Sequence, residues 1–227
     1  MAVFCFGDSW ARGAELKEFE KPFVHWLSAE LGTSYVNYGE DDNSLGMVLN
    51  TIVSKSKEIT VDDIVIVIVP PDIRWYDEDE ENGFYSLTLW QRDDYFKFLK
   101  NKTLEWFIYH HVLFIYAIQK ILNDIGCRYV MAHNYGQLNP DECKKYDLSI
   151  DYSKFLSNES LTNLLSTRRS EWKSYPTHLP SCHRYDEDGP PTHEFSGIYF
   201  EGCCDHPNEL GHRKISELIF KKLNQFK

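Results

Sequence analysis

The chain has 227 residues, 42% of them hydrophobic, and 24 Lys and Arg against 35 Asp and Glu give a formal net charge of −11 at pH 7. That balance argues against a nucleic-acid or anionic-membrane partner, since both are held through clustered basic side chains, and it favours a neutral or cationic substrate. No apolar run approaches the eighteen residues a membrane-spanning helix needs, and the N-terminus lacks a basic segment leading into an apolar one. Six cysteines are too few for a disulfide scaffold in a chain of this length. The expectation is one soluble, cytoplasmic domain over residues 1–227 with free thiols and no disulfide framework.

In chain order, residues 2–6 are apolar, rich in strand formers and closed by Gly7, which predicts a buried strand. Phe23, Trp26, Leu27 and Leu31 recur at helical spacing over residues 21–31, and Gly32 ends the pattern. A short strand is predicted over 35–38. Ser44 then reads as the N-cap of a helix carrying Met47, Val48, Ile52 and Val53. Residues 64–69, IVIVIV, form an unbroken β-branched run halted by Pro70-Pro71, the mark of a strand covered on both faces. The longest helical pattern spans 102–126 and is followed by the strand-like CRYVMAH; the last helix begins near Asn208 and carries Leu210, Ile215, Leu218 and Ile219. Strands alternating with helices in this way predict an α/β fold with a central parallel sheet and helices on both faces.

Two stretches break the rhythm and read as loop insertions: residues 76–101, an acidic run with aromatics, and residues 136–200, rich in Pro, Gly, Ser and His. The acidic run 77–81 is expected to be a solvated turn.

Residues just beyond the carboxyl ends of parallel strands line the crevice where such sheets bind ligands. Ser9 stands there after Gly7-Asp8, as do Gly39 and the stretch Asp72-Ile73-Arg74. Ser9 reads equally as a cap for the following turn or as a nucleophile, and a serine nucleophile requires a base, most often histidine. The chain has nine histidines. His206, in CCDHPNELGH, precedes Pro207-Asn208, and a capped helix after it would fix its loop against the sheet; His212, about one turn into that helix, is the competing base.

FGDSWARG at the start and DHPNELGH near the end together resemble the first and last signature blocks of the SGNH (GDSL-type) hydrolase family, and VNYGEDDNSLG resembles the second. The resemblance implies a flavodoxin-like three-layer α/β/α sandwich and an esterase that needs neither metal nor organic cofactor. It further implies that Ser9 attacks an ester carbonyl, that His206 takes and returns the proton, and that backbone N–H groups of Ser9 and Gly39 hold the oxyanion. The expected partner is a small-molecule or carbohydrate ester, an O-acetyl group among the candidates.

Two departures touch the catalytic set. Where the family's third block carries an asparagine that donates to the oxyanion, VPPDIRW has Pro71, which has no donor. Arg74 and Asn43 are the candidate replacements. Where the family places an aspartate three residues before the histidine, this chain has Cys203; Asp205 is adjacent to His206 instead. Asp205 can reach the ring only in a turn, because neighbouring side chains in an extended segment point apart.

These departures keep a rival open, a catalytically impaired binding or structural protein on the same fold. A nucleotide- or flavin-binding sheet is disfavoured by too few glycines and the lack of a phosphate-loop lysine after FGDSWARG. Cys182, His183, His193, Cys203, Cys204 and His206 supply enough ligands for zinc but match no regular metal-site spacing. Trp75, Tyr76, Trp90 and Trp172 are candidates for stacking on a sugar or acyl chain.

Overall fold

The computed structural model describes residues 1–71, 75–79, 83–87, 102–135, 144–165, 200–201 and 206–226. Four parallel strands form its central sheet: β1 (Ala2–Gly7), β2 (Ser34–Gly39), β3 (Ile64–Val69) and β6 (Arg128–His133), in the order β2-β1-β3-β6. The strand β3 pairs on both sides, and all six of its residues are buried. Its alternation explains the layers. Ile64, Ile66 and Ile68 face one side of the sheet with Val3, Cys5 and Val130; Val65, Val67 and Val69 face the other with Phe4, Phe6 and Met131.

Helices cover each face. On the isoleucine side lie α1 (Ser9–Arg12), α2 (Phe23–Glu30) and α6 (Glu209–Leu223), contributing Trp10, Phe23, Leu27, Ile215 and Ile219 to the core. On the valine side lie α3 (Leu45–Lys55) and α4 (Leu104–Ile125), contributing Val48, Ile52, Ile115, Ile118 and Leu122. This is a three-layer α/β/α sandwich around a parallel sheet. Local chemistry sets the helix ends. Ser44 Oγ accepts the Met47 N–H at 3.4 Å, Thr103 Oγ1 that of Trp106 at 3.2 Å, and Asn208 Oδ1 that of Gly211 at 3.0 Å.

Three details differ from the sequence reading. Val24 takes the buried place on α2 that spacing assigned to Trp26, which is only half-buried. Part of the acidic run expected as a turn is instead a strand: β4 (Trp75–Asp79) pairs antiparallel with β5 (Gly83–Leu87). Part of the stretch 136–200 belongs to the core. Phe155 bridges to Met131, and Leu161 and Leu165 of the short helix α5 (Leu161–Leu165) pack beneath the isoleucine face. Among the described residues no helix is long and apolar enough to cross a membrane.

Candidate active site

Because all four strands run parallel, their carboxyl ends share one edge, and the register sets Gly7 beside Gly39 and Val69 beside His133. The chain leaves β1 through Gly7, whose φ of 155° and tight surroundings admit no side chain: a Cβ there would stand 2.8 Å from the Cβ atoms of Ala11 and Ile68. Asp8 caps α1, its carboxylate accepting the Trp10 N–H at 3.2 Å and the Asn134 side-chain N–H at 2.6 Å. Asp8 and Asn134 are both fully buried. Their bond ties the ends of β1 and β6 together, so the turn bearing Ser9 is held from two strands. Trp10, also buried, donates its indole N–H to the Tyr135 hydroxyl at 3.1 Å.

Ser9 opens α1 and is 5% exposed. His206 arrives from the far end of the sequence on a two-residue strand, β8 (His206–Pro207), paired with β7 (Phe200–Glu201) and followed by the Asn208 cap of α6. Its Nε2 lies 2.8 Å from Ser9 Oγ, across 197 positions of sequence. With Nε2 accepting the serine hydroxyl, the ring carries its proton on Nδ1. That Nδ1 is buried and makes no hydrogen bond among the described residues. The carboxylate of Glu15 stands 3.5 Å from it.

The remaining predicted site residues fare differently. Asn43 is buried in the loop after β2, and its side-chain N–H donates to the Gly7 carbonyl at 3.2 Å, so the structure ties it to the β1 end. Gly39 was expected to offer its N–H to an oxyanion; that N–H instead donates to Asn37 Oδ1 at 3.0 Å. The geometry gives Gly39 a steric role, since a Cβ at this position would stand 2.3 Å from the Arg12 backbone nitrogen. Asn37 completes the joint by donating its side-chain N–H to the Ala11 carbonyl at 2.9 Å, binding α1 to β2. Asp205 and Arg74 lie outside the described residues, as do Cys182, His183, His193, Cys203 and Cys204, and the side chains of Trp75, Tyr76, Trp90 and Trp172. Among the described residues no group of three or more His, Cys, Asp or Glu side chains is placed to hold a metal ion.

His212, the competing base, lies in the core. Its Nδ1 accepts the Phe23 N–H at 3.2 Å, its ring stacks on Phe23, and burial, reinforced by the nearby His206, pushes its pKa down to about 3. It fastens α6 to α2 and remains neutral.

Two participants escaped the sequence reading. Asn134 had a usable signal, a polar residue directly after a strand's carboxyl end. Glu15 had none: it sits among Glu18 and Glu20 in an unpatterned segment, and its approach to His206 depends on backbone geometry that spacing does not encode.

No protein-family model matches the chain, and no curated protein matches it in sequence. Solved structures do resemble it. TesA aligns over 100% of this chain and 100% of its own at 10% identity with a TM-score of 0.52. The acetyl xylan esterase AlAXEase aligns over 97% of this chain and 98% of its own at 12% identity, with a TM-score of 0.50. A member of the lipolytic protein G-D-S-L family from Veillonella parvula DSM 2008 aligns over 97% of each chain at 15% identity with a TM-score of 0.49. At such identities the likeness to TesA and to AlAXEase is one of fold: this chain shares their α/β architecture.

Proposed function

We propose that the protein is a serine ester hydrolase of the SGNH type, with Ser9 as nucleophile and His206 as general base and acid. The observation that carries this reading is the 2.8 Å approach of His206 Nε2 to Ser9 Oγ at the carboxyl edge of the sheet. In the forward step Ser9 Oγ bonds to the ester carbonyl carbon while its proton passes to Nε2. Collapse of the tetrahedral adduct breaks the bond to the alcohol oxygen, which leaves with that proton. Water then attacks the acyl-serine, gives its proton to Nε2 and releases the acid as Ser9 regains its own. The substrate class is a small-molecule or carbohydrate ester, O-acetyl groups included, in keeping with the acetyl xylan esterase among the similar folds.

The oxyanion donor this reading retains is the Ser9 N–H, since the Gly39 N–H is engaged with Asn37 and the third block offers Pro71. Arg74 is proposed as a further donor. That economy of donors also favours a second reading, a binding protein that keeps the fold with little turnover, because one lost oxyanion donor costs about 10² to 10³ in rate.

The test is hydrolysis of p-nitrophenyl acetate together with labelling by a fluorophosphonate. The hydrolase reading expects turnover and a single adduct on Ser9, with both lost in Ser9→Ala. Wild-type protein that neither turns over nor labels would leave the binding reading.

A further inference from the structure

The hydrolase reading requires a group that orients His206, and the following inference rests on that reading. We propose that Glu15 is the positioning residue for His206, completing a Ser9–His206–Glu15 relay in place of an aspartate next to the histidine in sequence. Nδ1 of His206 is buried and has no hydrogen-bond partner among the described residues, and when Nε2 accepts the Ser9 hydroxyl it is Nδ1 that carries the ring proton. A buried N–H with no acceptor is unfavourable, so the ring demands a partner at that atom. Glu15 Oε2 stands 3.5 Å away. That separation exceeds a formed N–H···O bond, and contacts of this kind are characteristically long without substrate and tighten in the substrate complex.

The backbone supplies an independent observation. The chain leaves α1 by a left-handed reversal at Gly13, φ 84°, where the Ser9 carbonyl accepts the N–H groups of both Gly13 and Ala14. Glu15 then adopts φ 66°, a conformation that side-chain-bearing residues other than Asn and Asp seldom take. Strained positions of this sort concentrate at functional sites. Here the strained residue follows the nucleophile by one tight turn and aims its carboxylate back across that turn at the base. The nucleophile and the acid therefore share one short, hydrogen-bonded segment, and only the histidine must be delivered from elsewhere in the fold. The side chain of Glu15 is 37% exposed against 17% for His206, which leaves the glutamate room to close the remaining gap.

The test reads both structure and rate. In protein labelled with ¹⁵N-histidine, NMR identifies the protonated ring nitrogen of His206. The wild type is expected to hold the Nδ1–H form, and Glu15→Gln to lose it in favour of the Nε2–H form. With p-nitrophenyl acetate, Glu15→Gln is expected to lower kcat by about 10²-fold at unchanged KM, the scale of a disabled base. Glu15→Asp, which keeps the charge and suits the left-handed backbone, should restore part of both. Retention of the Nδ1–H form and of kcat in Glu15→Gln would overturn the assignment, as would the same changes arising in Asp205→Asn and not in Glu15→Gln. The tautomer decides the Glu15 contact even in a protein without turnover, whereas a Ser9→Ala variant that keeps its activity would overturn the hydrolase reading alone.

Discussion

Gly39 illustrates how much a single position fixes at this site. The second signature block points to it as a backbone donor, but its N–H is held by Asn37, and its necessity is spatial: α1 passes so close that an added Cβ would stand 2.3 Å from Arg12 N and 2.7 Å from the Ala11 carbonyl carbon. Backbone atoms cannot move aside as a flexible side chain can, so Gly39→Ala must push α1 away from β2. Overpacking of this kind costs about 1–3 kcal/mol, and in a protein of this size each kcal/mol lowers Tm by about 2–4 °C. The displaced helix carries Ser9, the proposed nucleophile, and misplacing a reacting group by about 1 Å can cost about 10²-fold in rate. Thermal melting and the p-nitrophenyl acetate assay on Gly39→Ala are therefore expected to fall together. Unchanged values in both would mean that α1 is not pinned at this point. The sequence singled out Gly39 as a backbone donor; the crowding around it comes from a helix that spacing alone could not reveal.

Among the elements, those with a long period were readable and those without one were not. The β-branched run of β3 declared a strand buried on both faces, and all six of its residues are buried. The end of α4 was readable at Gly126, at φ 78°, whereas its start lies at Leu104 after the Thr103 cap, two residues inside the expected 102–126. By contrast α1 is four residues long, too short to show any periodicity, and exists because Asp8 caps it and Gly39 admits it. The strand β4 was missed because its acidic composition opposes strand propensity, and pairing with β5 overrides that preference. The capping of α4 gives a clean measurement at this scale. Thr103 is exposed and its hydroxyl accepts the Trp106 N–H, so Thr103→Ala is expected to cost about 1 kcal/mol and about 2–4 °C in Tm. Hydrolysis of p-nitrophenyl acetate, where the proposed function holds, should be unaffected, since α4 packs on the valine face and Ser9 lies on the other. A change in kcat would show that the two faces are coupled.

At the scale of the whole molecule, the sandwich brings Ser9 to His206 and buries three other histidines in doing so. The approach of His206 to Ser9 was anticipated through the resemblance of FGDSWARG and DHPNELGH to two blocks of one family. The approach of Glu15 was not, because it depends on left-handed backbone at both Gly13 and Glu15, on either side of Ala14. The buried histidines have a consequence for stability. Burial pushes His111 down to about 4; burial, reinforced by His111, pushes His133 down to about 3; and burial, reinforced by His206, pushes His212 down to about 3. Each therefore stays neutral in the fold where the unfolded chain, with an ordinary value of about 6.5, takes up a proton. Stability rises with pH wherever the unfolded state binds more protons. The contribution of these groups is thus fully present above about pH 6.5 and is lost progressively as the pH falls toward their folded values. Asp63, whose bonds from Thr60 and Ala2 outweigh its burial and hold its carboxyl below the usual range, acts in a lower window, below about pH 4. Urea unfolding between pH 7 and about 4.5 consequently separates these histidines from Asp63, and the midpoint is expected to fall continuously across it. His133→Phe replaces a ring that stacks on Phe155 at 4.9 Å with one of similar shape that cannot be protonated. Its midpoint should fall less steeply over the same interval. A wild-type midpoint that does not move would mean that these rings are protonated within the fold, and a variant with the wild-type slope would remove His133 from the account.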